Sequence, residues 1–391
     1  MRIETRLAAR LKNVSPSTTL AITSKAKKLK AEGKDVVNFA AGEPDFDTPD
    51  FIKTAAIEAI DSGFTKYTPS TGTPELKQLI SKKFKKDNDL DYQPEQIVVS
   101  CGAKHSIFNT LMVLVNPGDE VLIPSPYWVS YPEMVRLCEG TPRFIRTQEK
   151  DNFRVTPKEL EKHISGKTKV FILNSPSNPT GSVYKLAELK EIARICAEKK
   201  VLVVSDEIYE KLIYGGLRHE SIAGISEAIY NLCVTVNGMS KSYSMTGWRI
   251  GYLGAPKDIA EAISRLQDHS TSNPTSIAQK AAAAALEAPD DFSKKLCQEF
   301  QKRRDYCASR LKAIKKITFV PPQGAFYIFC DISDTGLDSN TFASRLLEER
   351  FVALIPGDGF GRDDYIRISF ATGLDQIKKG MDRLEDWLNK L

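Results

Sequence analysis

Lys241 and Arg249 are the residues whose type and setting most strongly suggest chemistry. They lie in the stretch Asn237–Gly254, NGMSKSYSMTGWRIGYLG, which holds one lysine, three serines, a threonine, four glycines and one arginine in eighteen residues. Small neighbours let a ligand approach Lys241 closely, and glycine has no Cβ to stand in the way. A lysine that acts as a nucleophile must first lose its proton. A cramped, partly desolvated place with cationic neighbours favours that loss. Arg249 supplies a permanent cation suited to a phosphate. An exposed lysine in a strand–loop–strand crossing is the plain alternative.

Further polar residues stand where strands end. Asp206 and Glu207 close the apolar run Val201–Ser205. A charge there must be paired or near solvent. Lys211, four residues past Glu207, is its simple partner. Asp206 and Tyr209 at i+3 share a face if a helical turn begins there. Asn178 sits in NSPSNPTG after the buried strand Val170–Leu173, and its amide could meet a ring oxygen. The CGAK turn, with Ala103 and Lys104, joins strand Gln96–Ser100 to a helix at His105–Val115, and a helix N-terminus favours an anion. Trp128 follows strand Glu120–Pro124, and Tyr67 lies in the loop KYTPSTG; both fit ring stacking or plain packing. Gly42 opens GEPDFDTPD, where Thr48 or Asp50 is expected to cap the helix that begins near Phe51. Arg367 alternates with Ile366 and Ile368 on a strand, a position that calls for a carboxylate in the protein or in a ligand.

The elements behind these residues alternate. Six strands, at 96–100, 120–124, 170–173, 201–205, 232–236 and 248–254, are mostly separated by helices, including Leu186–Glu198. Polar residues gather after each, as at the carboxyl edge of an open α/β sheet. Before them come a helix over 17–33, a short strand at Val36–Ala40 and a helix at Pro74–Lys86. After them come an alanine-rich helix near Ile277–Leu286, a composition shift at Glu287–Asp291 and a long helix over Phe292–Ile314. Strands at Thr318–Val320, in GAFYIFCDI, at Val352–Ile355 and at Tyr365–Ser369, with helix Asn340–Arg350, form a small α+β unit.

At 391 residues the chain exceeds one ordinary core, so two domains are expected. A 41% hydrophobic and 27% charged composition, without an apolar run of membrane-spanning length, describes a soluble protein. The net charge of +5 shows no clustered basic stripe, which argues against nucleic acid. Seven scattered cysteines with no CxxC pair argue for free thiols in a reducing compartment and against a zinc site or other metal. The N-terminal MRIETRLAARLK has no secretory h-region. No GxGxxG follows the first strand, so a nicotinamide dehydrogenase is set aside.

In order, GEPDFDTP, KYTPSTG, PYWVSYPE, NSPSNPTG, VVSDEIYE, SKSYSMTGWRIGY and PQGAFY closely resemble the class I pyridoxal-phosphate-dependent aminotransferases of fold type I. Within them the chain looks like the bacterial aspartate aminotransferase subgroup, from PSTTLAI to RISFAT. The resemblance implies an α/β fold with a mostly parallel central sheet in a large domain, residues 46–288. A smaller α+β domain would combine residues 1–45 and 289–391. It also implies pyridoxal 5'-phosphate as cofactor, a homodimer with shared active sites, and amino acids and 2-oxo acids as small-molecule partners, in keeping with the cytoplasmic location that the composition suggests. The implied activity is ping-pong amino transfer between L-aspartate and 2-oxoglutarate. An aromatic or prephenate aminotransferase, a β-lyase and a non-catalytic regulator on the same fold are its rivals.

The resemblance also assigns roles. Lys241 matches the lysine that joins the cofactor's aldehyde and later shuttles a proton, and Asp206 the carboxylate that pairs with the ring nitrogen. Tyr209 and Asn178 match the groups that hydrogen-bond the ring oxygen, and Trp128 the aromatic stacked on the ring. The phosphate would meet the Ala103 and Lys104 backbone, Ser240, Arg249 and a Tyr67 supplied by a second subunit. Arg367 matches the clamp for the substrate α-carboxylate, assisted by Gly42 and Asn178. Lys104 matches the subgroup's group for the distal carboxylate, and the segment His269–Ser276 holds no arginine for that task. Gly238 stands where many members have a phosphate-binding serine. Ser15 stands where some prephenate-active members have a lysine or arginine.

Overall fold

The computed structural model describes residues 8–16 and 18–391; residues 1–7, and with them most of the N-terminal stretch considered above as a leader, lie outside the described residues. After a short 3-10 helix at Ala9–Asn13 come α1 (Thr18–Ala31), β1 (Val37–Asn38), α2 (Asp50–Asp61) and α3 (Pro74–Asn88). Thr73 caps α3 by accepting from the Leu76 N–H, and Pro74 takes the first helical position, where its missing N–H costs nothing. The cap expected for α2 is different. Pro49 precedes that helix without a side-chain cap, because the Thr48 hydroxyl is turned away to donate to the Ser244 carbonyl.

A seven-stranded sheet follows, built from β2 (Ile97–Ser100), β3 (Glu120–Ser125), β4 (Thr141–Arg146), β5 (Thr168–Asn174), β6 (Leu202–Asp206), β7 (Cys233–Gly238) and β8 (Gly251–Gly254). Its order is β2-β8-β7-β6-β5-β3-β4, and only β8 runs against its neighbours. The connections supply α4 (Ala103–Leu114), α5 (Ser130–Leu137), α6 (Pro157–His163), α7 (Leu186–Lys199), α8 (Glu227–Tyr230) and α9 (Lys257–Asp268). The inner strands are buried on both faces, as a sheet covered by crossover helices requires. Ile97, Val99, Phe171 and Val203 pack with α2, α3, α7 and α10 (Ser276–Glu287). Val98, Val121, Val204 and Val234 pack with α4, α5 and α9 on the other face.

The sheet has one strand more than the six expected. β4 is an exposed edge strand, TPRFIR, with a single buried residue, so it lacks the apolar run that marks its neighbours. The last expected strand is also shorter: Trp248 lies in a loop, and its indole N–H donates to Thr48 Oγ1 at 2.9 Å.

The C-terminal part holds α11 (Asp291–Lys312), β9 (Thr318–Phe319), β10 (Tyr327–Asp331), α12 (Ser339–Arg350), β11 (Val352–Ala353), β12 (Ile355–Pro356), β13 (Tyr365–Ser369) and α13 (Leu374–Leu388). β12, β13, β10 and β9 form an antiparallel sheet. The expected single strand over 352–355 is two strands in two sheets, because β11 leaves to pair in parallel with β1. All seven cysteines are free. No described helix is long and apolar enough to cross a membrane.

Candidate active site

A cleft of about 540 Å³ opens at the carboxyl ends of β5, β6 and β7, roofed by the β1–α2 loop and by β10 and β13. It collects Gly42, Ala103, Lys104, Trp128, Asn178 and Asp206 from the expected residues. Tyr209, Ser240, Lys241, Arg249 and Arg367 line it as well. Tyr67 does not: it is 91% exposed on the loop before α3.

Lys241 sits just past β7, where the chain turns away from the sheet. Its Nζ donates to the Gly42 carbonyl at 2.5 Å and lies 5.8 Å from the centre of the Tyr209 ring. Burial pulls its pKa down to about 8, helped by Arg367 and Arg249 and opposed by Glu43 and Asp206. A neutral amine is therefore within reach at physiological pH.

Asp206 is the last residue of β6 and is buried. Burial lifts its carboxyl to about 6, while hydrogen bonds from Tyr131 and the Ile208 N–H hold it back. The Tyr131 hydroxyl donates to Oδ2 at 2.6 Å, and the Ile208 N–H to Oδ1 at 3.3 Å. The residues after Glu207 form a turn, not a helix, yet this turn still brings Asp206 and Tyr209 to the same cleft. The Tyr209 and Tyr327 hydroxyls meet at 2.9 Å. Lys211 is not the partner of Glu207. It pairs with Asp87 at 2.9 Å, while Glu207 takes His219 at 2.8 Å and the hydroxyls of Ser205 and Ser221.

Arg367 sits at mid-strand in β13 and is 2% exposed. Nη1 donates to Asn178 Oδ1 at 3.0 Å and Nη2 to the Ala40 carbonyl at 3.1 Å, with the guanidinium 4.3 Å from the Tyr327 ring centre. Its Nε has no hydrogen-bond partner, and among the described residues it forms no ion pair. A buried cation without a carboxylate is costly unless a ligand brings one.

At the other end of the cleft, α4 begins at Ala103. His105 and Ser106 return their N–H groups to the Gly102 carbonyl, so the opening donors of the helix are those of Ala103 and Lys104. Arg249 closes this end. Its Nη2 donates to the Cys101 carbonyl at 3.2 Å and its Nη1 to the Thr246 carbonyl at 2.7 Å. Its backbone has φ +57, an unfavourable conformation for a side-chain-bearing residue and one that tends to persist at functional sites. Ser240 lines the same cleft, so a helix terminus, a hydroxyl and a guanidinium are all available to it for holding an anion. Lys104 lies over Trp128, its Nζ 4.9 Å from the ring centre. Gly238 has a packing reason: a Cβ there would stand 3.0 Å from the Gly251 Cα and 3.1 Å from the Ile250 carbonyl. A serine there would require β7 and β8 to move apart by a few tenths of an ångström.

Tyr131, Tyr327 and Glu43 line the cleft without having been singled out above. Tyr131 had a legible signal: it follows Trp128 by three residues, and the two rings meet edge-on at 5.2 Å. Tyr327, within an aromatic strand, and Glu43, within a turn, had none.

A model of the family described as aminotransferase class I and II matches residues 34–384. The chain is 49% identical over 388 residues to an aspartate aminotransferase of Geobacillus stearothermophilus, covering 98% of this chain and 99% of that one. It is 44% identical over 390 residues to a probable aspartate/prephenate aminotransferase of Aquifex aeolicus, covering 98% and 99%. Its structure superposes on the aspartate aminotransferase of Thermus thermophilus with maleate at a TM-score of 0.94, with 40% identity and 99% and 100% coverage.

Proposed function

For this chain, which belongs to the class I and II aminotransferases, we propose transfer of the amino group between L-aspartate and 2-oxoglutarate, giving oxaloacetate and L-glutamate, with pyridoxal 5'-phosphate as cofactor. The observation that carries the proposal is Arg367, a buried guanidinium with no carboxylate of its own, in one cleft with a lysine whose pKa falls to about 8. The donor set fits the cofactor. The α4 N-terminus, Ser240 and Arg249 suit a phosphate, and buried Asp206 suits a protonated ring nitrogen. Tyr209 and Asn178 would meet the ring oxygen, and Trp128 a ring face. When bound, the cofactor supplies an electron sink next to the amino acid's Cα.

The residues do the rest. Arg367 holds the α-carboxylate, with Asn178 and Gly42 completing its seat, so that the Cα–H bond is oriented. Lys241, neutral after giving up its proton, would accept the Cα proton on Nζ and hold it for return. Lys104, across the cleft on Trp128, is the cation for the distal carboxylate. The aspartate preference draws support from the names of the relatives and from the maleate, a dicarboxylate, in the Thermus structure. Prephenate as a second amino acceptor draws support from the Aquifex relative's name alone.

The same reading places the protein in the cytoplasm as a homodimer, with the exposed Tyr67 reaching a partner's phosphate site. It divides the chain into a large domain, 46–288, and a small one, 1–45 with 289–391, which the pairing of β1 with β11 supports. The test is a coupled assay of purified protein with pyridoxal phosphate, aspartate and 2-oxoglutarate. Oxaloacetate should form, and Lys241→Ala should abolish it. Turnover that survives in that variant, or no turnover with aspartate in the parent protein, overturns the proposal.

A further inference from the structure

The β1–α2 loop does more than present the Gly42 carbonyl to Lys241. It is stitched to the lysine-bearing loop along its length. Besides the Lys241–Gly42 bond, the Thr246 hydroxyl donates to Glu43 Oε2 at 2.7 Å and the Thr48 hydroxyl to the Ser244 carbonyl at 2.7 Å. The Trp248 indole N–H closes the series on Thr48 at 2.9 Å. From behind, Arg303 of α11 holds Asp45 at 2.7 Å and lies over the Phe46 ring at 5.1 Å. A loop pinned this firmly fixes where its side chains point.

Glu43 is the side chain that matters. Among the described residues the cleft gathers four cations, Lys104, Lys241, Arg249 and Arg367, against two lining carboxylates, Asp206 and Glu43. We propose that Glu43 is a positioning residue for amino transfer: its carboxylate, fixed on Thr246, balances the charge on Lys241 and steadies the loop that carries Arg249. The proposal rests on the reading above that Lys241 is the reactive amine.

Electrostatics and mechanical coupling both support it. The charges that act on Lys241 are those of Glu43, an exposed side chain of the β1–α2 loop, Asp206 of β6, Arg367 of β13 and Arg249 of its own loop, and the Tyr209 ring centre lies 5.8 Å from Nζ. Burial is the largest influence on the amine and drives its proton off, with both arginines acting the same way. Of the groups that oppose this, Glu43 acts more strongly than Asp206. With Asp206 taken up by a cationic ring, Glu43 would be the other lining carboxylate that favours the charged amine. The second support is mechanical. Thr246 gives its hydroxyl to Glu43 and its carbonyl to Arg249 Nη1. A guanidinium on a strained backbone, φ +57, is therefore held through the same threonine that Glu43 grips.

Competitive labelling of Lys241 with an amine-reactive reagent, read by mass spectrometry from pH 6 to 11 on cofactor-free protein, reports the amine directly. Pyridoxal phosphate titration, read by its visible absorption, reports the cradle. Glu43→Gln keeps an acceptor for Thr246 but loses the charge. It should lower the labelling midpoint by about half to one pH unit, while pyridoxal phosphate affinity changes by less than about threefold. Glu43→Asp should restore the parent midpoint. Thr246→Val breaks the tether but keeps the charge. It should weaken pyridoxal phosphate binding about tenfold, with a midpoint shift less than half that of Glu43→Gln. A Glu43→Gln midpoint equal to the parent's, or a Glu43→Asp midpoint as low as that of Glu43→Gln, overturns the proposal. Labelling needs no cofactor, so failure of the parent protein to bind pyridoxal phosphate would count against the functional reading and leave this comparison standing.

Discussion

Tyr131 shows how much a single hydroxyl contributes at the centre of the cleft. Its 2.6 Å bond reaches a carboxylate that burial has already pushed up to about 6. Tyr131→Phe removes that bond and little else. A hydrogen bond to a charged group contributes about 1.5–3 kcal/mol, so Asp206 should hold its proton to higher pH and grip a cationic ring less well. Pyridoxal phosphate affinity should fall about tenfold near pH 6 and recover towards the parent value above pH 8, where Asp206 ionises even without the phenol. Fluorescence titration at several pH values checks this, and a loss independent of pH would refute it. The two arginines should separate in the same assays. Arg367→Ala should raise the KM for aspartate about a hundredfold with little change in cofactor affinity, and Arg249→Ala should do the reverse, since each removes about 2–3 kcal/mol of charge-assisted bonding from a different ligand group.

At the scale of elements, the site depends on how tightly β8 lies against the start of α4. A Cβ on Gly251 would fall 2.1 Å from the Ala103 nitrogen and 2.3 Å from the Gly102 carbonyl carbon. These are backbone atoms, so neither can swing aside. Gly251→Ala should therefore push the α4 N-terminus off β8, costing about 3 kcal/mol of stability and loosening the phosphate cradle together. Urea unfolding and cofactor titration of the same variant would check both, and stability lost with an unchanged cradle would break the link. Glycine in this strand was legible only as part of a small-residue motif, because no sequence pattern states what packs against it. The helices α1, α3, α4, α7, α10, α11 and α12 and the doubly buried strands were legible from their apolar periodicity. So were Asp206, Asn178 and Lys241, each a polar residue after an apolar strand. Several elements escaped, among them α6, α9 and α13, the last two twelve and fifteen residues long. β4 is an edge strand with exposed polar residues, and α5 carries Pro132 in its first turn, where proline resembles a breaker but costs no hydrogen bond. Tyr131 escaped with its helix.

Across the whole molecule, a buried charge network joins the α3 end of the chain to the back of the site. Lys83 of α3 pairs with Glu210, and Asn88 donates to Glu210 at 2.8 Å and to Glu207 at 3.3 Å. Glu207 in turn binds His219 at 2.8 Å, one residue from the carboxylate of the site. The network holds the turn after β6 from the side opposite the cleft, so the placement of Asp206 and Tyr209 and the fold's stability share one support. Burial would lower the pKa of His219, but Glu207 and then Glu210 outweigh it and raise it above the usual 6.5. The sign follows from linkage. A folded state that binds the proton more tightly than the unfolded chain gains its full benefit below pH 6.5 and loses it as pH rises through the raised value. His219→Gln keeps a donor for Glu207 but cannot carry the charge. The parent protein should exceed this variant in stability by about 2 kcal/mol at pH 6, a typical worth for a hydrogen bond between charged groups, and the gap should narrow as pH rises towards 9. Urea unfolding of both proteins at several pH values measures that gap, and a gap constant with pH would mean that His219 is neutral in the fold and that its bond to Glu207 carries no charge.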